Sequence, residues 1–490
     1  MRRIISVITA LLFLLVLLPG PGAVRNAAAE QARNTELSRL MSFAHELSGV
    51  CSRHSDIYRS NAAKGSASAY ATGRIIVKAE RELACPGALA EVKGFNGWHV
   101  IQYASAKEAE EAAALFNKTP GVLYAEPDVM LRADAKPGYD GFESWGYGED
   151  YVNAFAFNER LYEYYGGNLA AFPTVNVAVI DTGADLTHPF IRKRLIAGYD
   201  FINDDPDPTD DHYHGTHVCG TVADGTLANV KIMPIKVLDE TGEGPTSVVV
   251  MGIMYAYLNG CRVENMSLGD YCDGFDGTDH LAMAEAINAA SDAGTVVCVA
   301  AGNEHDNAGN HCPANIERAV TVAAIDSSKR LAYFSNYGDF VDISAPGVGV
   351  YSSVPGSGFE YLSGTSMACP HVAAAAAMVL SAKPTLSVDN VAEVLCASAE
   401  PLGFTNGGSG MLCVTHMWEH IPFEPSLIPG DVDLNGTVNA NDALLIMRYT
   451  LGLIGEDGLY LEAADADGSG TVNANDALFV LRLSLGLTRG

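Results

Sequence analysis

Four polar residues suited to one active site lie far apart in the chain, each next to an apolar run. Asp181 follows the run 175–180, His214 opens the segment His-Gly-Thr-His, and Ser366 begins a long helix of small residues. A serine becomes a nucleophile when a base takes its proton and a carboxylate orients that base. Asn303, at the end of another strand-like run, can donate a hydrogen bond to a tetrahedral oxyanion. Together these residue types predict acyl-transfer chemistry.

Between about residues 174 and 380, strand-like runs alternate with helical stretches, which predicts a doubly wound, mainly parallel α/β sheet. In such a sheet the ends of parallel strands place chemical groups at one edge, as the position of Asp181 requires. The strand-like runs are Val175–Ile180, Lys231–Val237, Val263–Met266, Thr295–Ala300 and Ala319–Ala324. The helical stretches include Thr246–Leu258 and His280–Ala293.

Five segments in order resemble the signature blocks of the subtilase (subtilisin) family of serine peptidases: VAVIDTGAD, HGTHVCGTVA, ENMSLGD, VAAGNE and LSGTSMACPHVAAAAA. The resemblance covers about residues 140–415 and implies a subtilisin-like fold and an endopeptidase acting on protein or peptide substrates. It implies that Ser366 is the nucleophile, His214 the general base and then acid, and Asp181 its orienting carboxylate. Asn303 and the Ser366 backbone N–H are then the oxyanion donors. The implied substrate-binding residues are Ser267, Leu268, Gly269, Gly244, Ala300, Ala301 and Gly302.

The same blocks contain departures from the family pattern. Small residues are usual at the positions of Tyr213, Cys219 and Cys369. The stretch 304–311 is shorter than in many relatives, so the depth and preference of the specificity pocket do not follow from the sequence. Cys369 is interpreted either as a buried small residue or as a thiol-sensitive position. An inactive homologue is the alternative to a working peptidase, and a metal site on the three histidines of segment 212–217 is a weaker one.

Other features leave two readings each. The stretch Asp200–Asp211 holds six aspartates and is either a solvated loop or a calcium site. The ten cysteines show no C-x-x-C framework. Cys298 is expected in the core, whereas Cys272 and Cys312 flank loops and can pair, although connectivity does not follow from the sequence.

Residues 70–132 alternate short strand-like and helical patterns, and the longer region 30–132 carries equal numbers of acidic and basic residues. Arg74–Lys78 and Val122–Tyr124 are expected as strands, and Lys107–Asn117 as an amphipathic helix. The region resembles the inhibitory prosegment of the family, which implies a small sheet with two helices and a tail in the active site. Self-cleavage is then expected near residues 132–136. An unrelated α+β domain is the alternative, and residues 30–69 show no clear pattern.

The segment GTVNANDAL occurs twice, at Gly436–Leu444 and Gly470–Leu478. Each copy completes a twelve-residue loop with alternating oxygen ligands around a glycine, which predicts two calcium sites rather than solvated turns. Position 12 is Asp instead of the EF-hand Glu, and an apolar helix follows each loop. The candidate Ca²⁺ ligands are Asp431, Asp433, Asn435, Thr437, Asn439 and Asp442, then Asp465, Asp467, Ser469, Thr471, Asn473 and Asp476.

This loop–helix repeat resembles a type I dockerin, which implies binding to a cohesin module of a scaffoldin in a cellulosome-like complex. Ala440-Asn441 and Ala474-Asn475, with Arg448 and Arg482, match the dockerin positions that often set partner choice. The two copies are nearly identical, so two docking orientations related by a half-turn are expected.

The N-terminus and the charge indicate an extracellular protein. Two arginines, an apolar run 4–18 and a small-residue segment 27–29 predict a secretory signal peptide rather than a membrane anchor. The formal net charge of −29 argues against nucleic-acid binding and against adhesion to anionic lipid. The mature protein is expected to be secreted, without membrane insertion.

The predicted organisation has six segments: signal peptide 1–29, unassigned pro-region 30–69, inhibitory prosegment 70–132, catalytic domain 133–420, linker 421–430 and dockerin 431–490. The leading prediction is a secreted serine endopeptidase made as a self-processed zymogen. The alternative is a cohesin-binding protein whose peptidase domain is inactive or acts only on its own prosegment.

Overall fold

The computed structural model describes residues 27–63, 72–93, 95–133, 136–137, 154–168, 171–272, 280–423, 429–432, 438–455 and 459–484. The chain divides into two compact units, Met1–His420 and Ile421–Gly490. The predicted signal peptide, except its last three residues, lies outside the described residues.

The described strands and helices are numbered in chain order. The strands are β1 (Arg74–Ala79), β2 (Ala90–Lys93), β3 (Trp98–Gln102), β4 (Val122–Pro127), β5 (Met130–Ala133), β6 (Lys136–Pro137), β7 (Val175–Asp181), β8 (Tyr199–Asp200), β9 (Val230–Lys236), β10 (Glu243–Pro245), β11 (Val263–Met266), β12 (Leu268–Tyr271), β13 (Val296–Ala300), β14 (His311–Cys312), β15 (Val320–Ile325), β16 (Ile343–Pro346), β17 (Val350–Val354) and β18 (Gly358–Ser363). The helices are α1 (Ala27–Ala63), α2 (Ala106–Phe116), α3 (Ala154–Tyr164), α4 (His214–Asp224), α5 (Thr246–Leu258), α6 (Leu281–Asp292), α7 (Thr365–Ala382), α8 (Val388–Ala397), α9 (Val414–His420), α10 (Ala440–Thr450), α11 (Leu461–Ala464) and α12 (Ala474–Ser484).

A seven-stranded parallel sheet forms the centre of the first unit, in the order β16-β15-β13-β11-β7-β9-β8. Its inner strands are almost entirely buried, which explains their continuous β-branched runs. The helices α4 and α7 pack against each other and the sheet, as do α5 and α6. This confirms the predicted doubly wound, mainly parallel α/β fold, and each predicted strand lies within two residues of an observed one.

The helix α7 begins one residue before Ser366 and runs through the core. It is the only helix in the described ranges that is long and apolar enough to cross a membrane, and all of it is buried inside the fold. Its alanine-rich sequence allows close packing on several strands of the central sheet.

The region 72–133 forms an antiparallel sheet in the order β2-β3-β1-β4, with α2 packed against β1 and β4. The predicted strands and the helix at 107–117 are therefore confirmed. The expected second helix is not found among the described residues of this region.

The helix α1 corrects the prediction that residues 30–69 have no clear pattern. Its buried residues Leu40, Phe43, Ala44 and Leu47 follow the spacing i, i+3, i+4, i+7 of one helix face. That face packs on α5 of the catalytic region and on the sheet of region 72–133. The pro-region therefore contributes to the same core as the catalytic domain.

The second unit is a small helical module in which α10 packs against α12. Its core contains equivalent residues of the two repeats: Ala443 and Ala477, and Ile446 and Val480, are all buried. The equivalent Leu444 and Leu478 are instead exposed, at 52% and 45%. Each copy therefore buries one helix face and presents an apolar residue on the other.

Candidate active site

Asp181 and His214 meet at the carboxyl end of the central strand β7. Asp181 is the last residue of this strand, and His214 is the first residue of α4. His214 Nδ1 lies 2.7 and 2.9 Å from the two carboxylate oxygens, and both side chains are fully buried. This pairing assigns the proton to Nδ1 and leaves Nε2 as the basic nitrogen.

Ser366 lies in the first turn of α7, where backbone N–H groups and the helix dipole favour a negative charge. Its Oγ donates to the carbonyl oxygen of Ser267 at 3.0 Å. The Nε2 atom of His214 is buried and has no hydrogen-bond partner within the part of the chain that the structure describes. The structure therefore pairs Asp181 with His214 as predicted for the triad, whereas Ser366 is hydrogen-bonded to Ser267.

Asn303 follows β13 and points its amide toward the start of α7. Its Oδ1 accepts from the backbone N of Thr365 at 2.9 Å and from Thr365 Oγ1 at 3.2 Å. Because the oxygen is used in this way, Nδ2 is the donor of the amide group. The arrangement joins the predicted oxyanion donor to the residue directly before the nucleophile.

Gly302 needs to be glycine at this point. Its φ is +99°, and a Cβ there would lie 2.2 Å from Asn336 Nδ2. Gly302 N also donates to Thr365 Oγ1 at 3.1 Å. Ala300 ends β13, whereas the Ala301 side chain lies in a small core with Ala308 and other apolar residues. Ala301 was predicted to bind substrate, and only its backbone is available for that role.

Asp210 is a buried residue of the site whose role the sequence did not reveal. Its Oδ1 accepts from Thr182 Oγ1 at 2.8 Å, and its Oδ2 accepts from the N and Oγ1 of Thr216 at 2.9 and 2.6 Å. Thr182 Oγ1 in turn accepts from the backbone N of Gly215 at 2.9 Å. This network holds the first turn of α4, and therefore His214, against the end of β7.

The other aspartates of segment 200–211 also have partners within the protein. Asp200 accepts three hydrogen bonds from Ile202 and Asn203, and Asp211 pairs with the buried Lys236 at 2.6 Å. Among the described residues these carboxylates form no cluster of three close enough to hold a metal ion. Whether this segment binds calcium therefore stays a prediction.

Two strands, β10 and β12, hold a third strand, β5, between them. β5 pairs antiparallel with β10 on one side, where Leu131 lies opposite Gly244. On the other side Leu268 and Gly269 of β12 lie opposite Ala133 and Arg132. Gly244 also approaches another part of the backbone closely, because a Cβ there would lie 2.0 Å from Val237 O. Three of the predicted substrate-binding residues, Gly244, Leu268 and Gly269, therefore hold a segment of this chain.

Side chains of β5 alternate between burial and exposure. Leu131 is fully buried among residues that include Leu238 and Leu268, whereas the Arg132 side chain is 57% exposed and pairs with Glu243 at 3.0 Å. Past this strand, β6 pairs with β18 so that Lys136 lies opposite Ser363, three residues before Ser366. The described residues on either side of 134–135 thus belong to two separate ladders.

A polar cluster that sequence reasoning missed lies beside Asn303. Glu304 accepts from the backbone N of Asn303 at 2.8 Å, and His311 lies 3.4 Å from both Glu304 and Asp306. A hydrogen bond from Asn310 is the main cause that lowers the pKa of Asp306. The only sequence signal here was the short stretch 304–311.

The departures from the family pattern leave the site intact. Cys219 and Cys369 are fully buried, and burial raises the pKa of both thiols well above its usual range, which favours the reading of Cys369 as a small buried residue. Tyr213 stacks on His212 with ring centroids 4.1 Å apart. Burial lowers the pKa of His217 to about 3, and its Nε2 lies 3.1 Å from Val350 O. His217 is therefore a buried, neutral residue of the core, and the metal site on the three histidines stays a prediction.

In the second unit, the second loop fits the predicted cation site. Carboxylate oxygens of Asp465, Asp467 and Asp476 lie within 4.8 Å of one another, and three carboxylates suit Ca²⁺. Asp476 also accepts from Asp467 N and from Asn473 N, which fixes the position of its carboxylate. The side chains of Ser469 and Asn473 lie near the Thr471 carbonyl oxygen, at 3.2 and 3.0 Å.

The first loop is described only at its two ends. Asp431 is buried, and Asp442 accepts from Val432 N and Asn439 N at 2.9 Å each. This repeats the role of Asp476 in the second loop. The remaining candidate ligands, Asp433, Asn435 and Thr437, lie outside the described residues.

Comparisons with known proteins match both units. Residues 173–415 match the model of the subtilase family, and residues 429–483 match the type I dockerin domain. A thermophilic serine proteinase of Bacillus sp. (strain AK1) is 37% identical over 281 residues, which cover 56% of this chain and 66% of that protein. Subtilisin DY of Bacillus licheniformis is 40% identical over 240 residues, or 47% of this chain and 85% of that protein.

Two further matches were found. Subtilisin E of Bacillus subtilis (strain 168) is 35% identical over 315 residues, which cover 62% of this chain and 77% of that protein. A crystal structure of a cold adapted subtilisin-like serine proteinase matches with a TM-score of 0.46 and 35% identity, over 49% of this chain and 89% of that chain.

Proposed function

This chain belongs to the subtilase family of serine peptidases and carries a type I dockerin domain, and from that premise we propose that it is a self-processed zymogen whose triad is Asp181, His214 and Ser366. The observation that carries the proposal is the buried pair between His214 Nδ1 and both oxygens of Asp181. A fully buried carboxylate that holds an imidazole in this way supplies a fixed, basic Nε2.

Peptide hydrolysis then proceeds through an acyl-enzyme. Ser366 Oγ turns from Ser267 O to His214 Nε2, which takes its proton as Oγ bonds to the scissile carbonyl carbon. The oxyanion accepts from Asn303 Nδ2 and from the Ser366 backbone N–H. His214 passes the proton to the leaving amine as the C–N bond breaks, and water repeats the sequence to release the acid.

We infer that β5 marks the binding mode of a substrate. A peptide would add as a strand between β10 and β12, with alternate side chains directed inward as Leu131 is. The exposed neighbour Arg132 leaves room for polar residues at the intervening position. We propose that an apolar side chain at the position of Leu131 contributes to substrate choice.

The same geometry supports self-processing. The ladder of β5 ends at Ala133, opposite Leu268, and Leu268 follows Ser267, whose carbonyl oxygen accepts from Ser366 Oγ. The ladder of β6 begins at Lys136, opposite Ser363, which lies three residues before Ser366. Three peptide bonds, between Ala133 and Lys136, join the two ladders. We therefore propose cleavage at one of these three bonds, within the expected range 132–136.

Two carboxylates support an inhibitory role for the region before this bond. Glu126 accepts from the backbone N atoms of Leu281 and Ala282, at 2.6 and 2.9 Å, at the start of α6. Asp128 accepts from Ser247 N and Oγ, at 2.9 and 2.8 Å, in the first turn of α5. Carboxylates at helix N-termini are favourable, so the prosegment completes two helices of the catalytic domain.

The pro-region 30–69 belongs to this unit in our proposal. The buried face of α1 packs on α5 next to the prosegment sheet. We propose that α1 and region 72–133 together cover the outer face of α5 until maturation, and that their release leaves the catalytic domain and the dockerin as the working enzyme.

The dockerin domain implies a cohesin partner. The residues of the second loop fit Ca²⁺, which would be held by Asp465, Asp467, Asp476 and neighbouring oxygens, and would neutralise their mutual repulsion when bound. The exposed Leu444 and Leu478 supply equivalent apolar contacts on the two copies. We propose a secreted enzyme attached to a scaffoldin through this module, in agreement with the predicted signal peptide.

The test compares the full-length chain with Ser366→Ala and with a matched control, Ser381→Ala, which removes another buried hydroxyl of α7. The unsubstituted and Ser381→Ala chains should digest casein and acquire a new N-terminus at residue 134, 135 or 136. Ser366→Ala should remain full-length and inactive. Equal casein digestion by Ser366→Ala would refute the assignment of the nucleophile, and inactivity of all three with cohesin binding intact would favour the alternative of an inactive peptidase.

A further inference from the structure

A buried cluster of two cysteines and a histidine lies outside the triad and outside the dockerin. Ligand atoms of Cys272, His280 and Cys312 all lie within 4.8 Å of one another. Each of the three residues is at most 8% exposed. Such a set of thiol and imidazole groups in one buried place is the donor chemistry of zinc sites.

The backbone around the two cysteines explains why they meet. β12 and β14 pair antiparallel, with Asp270 opposite Cys312 and Tyr271 opposite His311. One residue further, Cys272 N donates to Asn310 O at 2.7 Å. Cys272 and Cys312 are thus diagonal neighbours on one face of the ladder.

This diagonal relation does not suit a disulfide. Diagonal residues of an antiparallel pair have Cα atoms roughly 7–8 Å apart, whereas the Cα atoms of a disulfide usually lie about 4.4–6.8 Å apart. All ten cysteines lie in the described residues, and none forms a disulfide. Two zinc–sulfur bonds of about 2.3 Å span a longer sulfur separation, and a ladder of this register can supply it without distortion.

We propose that Cys272, Cys312 and His280 bind one zinc ion, with a water in the fourth tetrahedral position. The soft thiolates exclude Ca²⁺ as the preferred ion here, so the site is chemically distinct from the oxygen-lined loops of the dockerin. Asn315 Nδ2 lies 3.7 Å from Cys272 Sγ, as expected for an outer group that donates to a coordinating thiolate.

The position of the site gives it a structural role next to the cleft. Cys272 directly follows β12, the strand whose Leu268 and Gly269 hold β5, and His280 directly precedes α6. Cys312 belongs to β14, which borders β12 on its other side. The ion therefore joins the outer edge of the substrate-binding sheet to the start of a core helix.

The test uses the full-length chain with Ser366→Ala, which prevents self-digestion without touching the cluster. After purification with a phosphine reductant and dialysis against Zn²⁺ and then against Ca²⁺-containing buffer, zinc is measured by mass spectrometry of the metal. We expect about one zinc ion per chain, and less than about one tenth of that after Cys272→Ser or Cys312→Ser. Cys396→Ser, which alters a partly buried thiol on α8, should retain the metal.

A second measurement does not depend on the folding of the cysteine variants. Titration of the same chain with Co²⁺ in place of Zn²⁺ should produce a thiolate-to-cobalt charge-transfer band and tetrahedral visible bands, which carboxylate sites cannot give. Three results would overturn the proposal: no zinc and no cobalt band in the chain with its cysteines intact, equal zinc in Cys272→Ser and Cys396→Ser, or a Cys272–Cys312 disulfide in secreted protein that has never been reduced.

Discussion

Replacement of Glu126 by alanine should weaken the hold of the prosegment on the catalytic domain. Both carboxylate oxygens of this residue accept backbone N–H groups at the start of α6, and Glu126 is only 2% exposed. These two hydrogen bonds run from the prosegment to the catalytic domain.

The expected loss follows from the two contacts. A hydrogen bond to a charged group contributes about 1.5–3 kcal/mol. Because neighbouring bonds are not fully additive, removal of both should cost about 3–5 kcal/mol of prosegment binding free energy. With about 1.4 kcal/mol per factor of ten, prosegment binding should weaken by about 10²- to 4 × 10³-fold. Glu126→Gln keeps one acceptor and should lose roughly 2–3 kcal/mol, or about 30–100-fold.

The assay follows release of the prosegment after self-cleavage, through the appearance of activity on a chromogenic peptide. Interface substitutions act mainly on dissociation. The lag should therefore be shortest for Glu126→Ala, longer for Glu126→Gln and longest for the unsubstituted chain. Glu111→Gln, an exposed glutamate on α2, is the matched control and should leave the lag unchanged. A lag for Glu126→Ala within twofold of the unsubstituted chain would show that the reasoning about the helix cap is wrong.

Three further predictions concern catalysis, pH and calcium. Asn303→Ala should lower kcat by about 10²–10³, the usual cost of losing one oxyanion donor in this family, with a smaller change in KM; steady-state kinetics that show less than a tenfold fall in kcat would contradict the role. Because the pKa of His217 is lowered to about 3, the unfolded chain binds more protons between pH 6.5 and 3. This contribution to stability is fully present above pH 6.5 and is lost as the pH falls, by about 2 kcal/mol between pH 7 and 5. Urea unfolding of the Ser366→Ala chain should show this loss, which should persist in the exposed control His420→Gln and shrink in His217→Gln. Asp465→Ala should reduce the calcium stoichiometry by one in calorimetric titration and should weaken cohesin binding. The control Asp339→Asn, which alters an exposed carboxylate of the catalytic domain, should change neither quantity. Cohesin binding that survives full calcium removal would contradict the calcium-dependent account.

The sequence predicted the fold well, because the fold depends on local pattern. Continuous β-branched runs between helices indicated the parallel sheet, and the strand end at Asp181 already placed a carboxylate at its edge. The residue types in the segments around His214 and Ser366 then pointed to one reaction. The structure brings Asp181 and His214 together as expected.

What the sequence did not reveal depends on partners that folding brings together. Asp210 was one of six aspartates in a loop, and only its contacts with Thr182 and Thr216 identify it as a residue that positions His214. The diagonal position of Cys272 and Cys312 on one face of the ladder is known only from the register of β12 and β14. The helix α1 is a different case, because the spacing from Leu40 to Leu47 was a readable signal that was missed.

The central claim is that Ser366 is an activated nucleophile in a working subtilase. The most direct measurement is reaction of the processed enzyme with a fluorophosphonate, followed by mass spectrometry of its peptides. We predict one adduct per chain on Ser366, formed in step with the loss of casein hydrolysis, and no adduct after Asp181→Asn on the same time scale. An unmodified Ser366 in an active enzyme, or an adduct on another residue that tracks the loss of activity, would contradict the account.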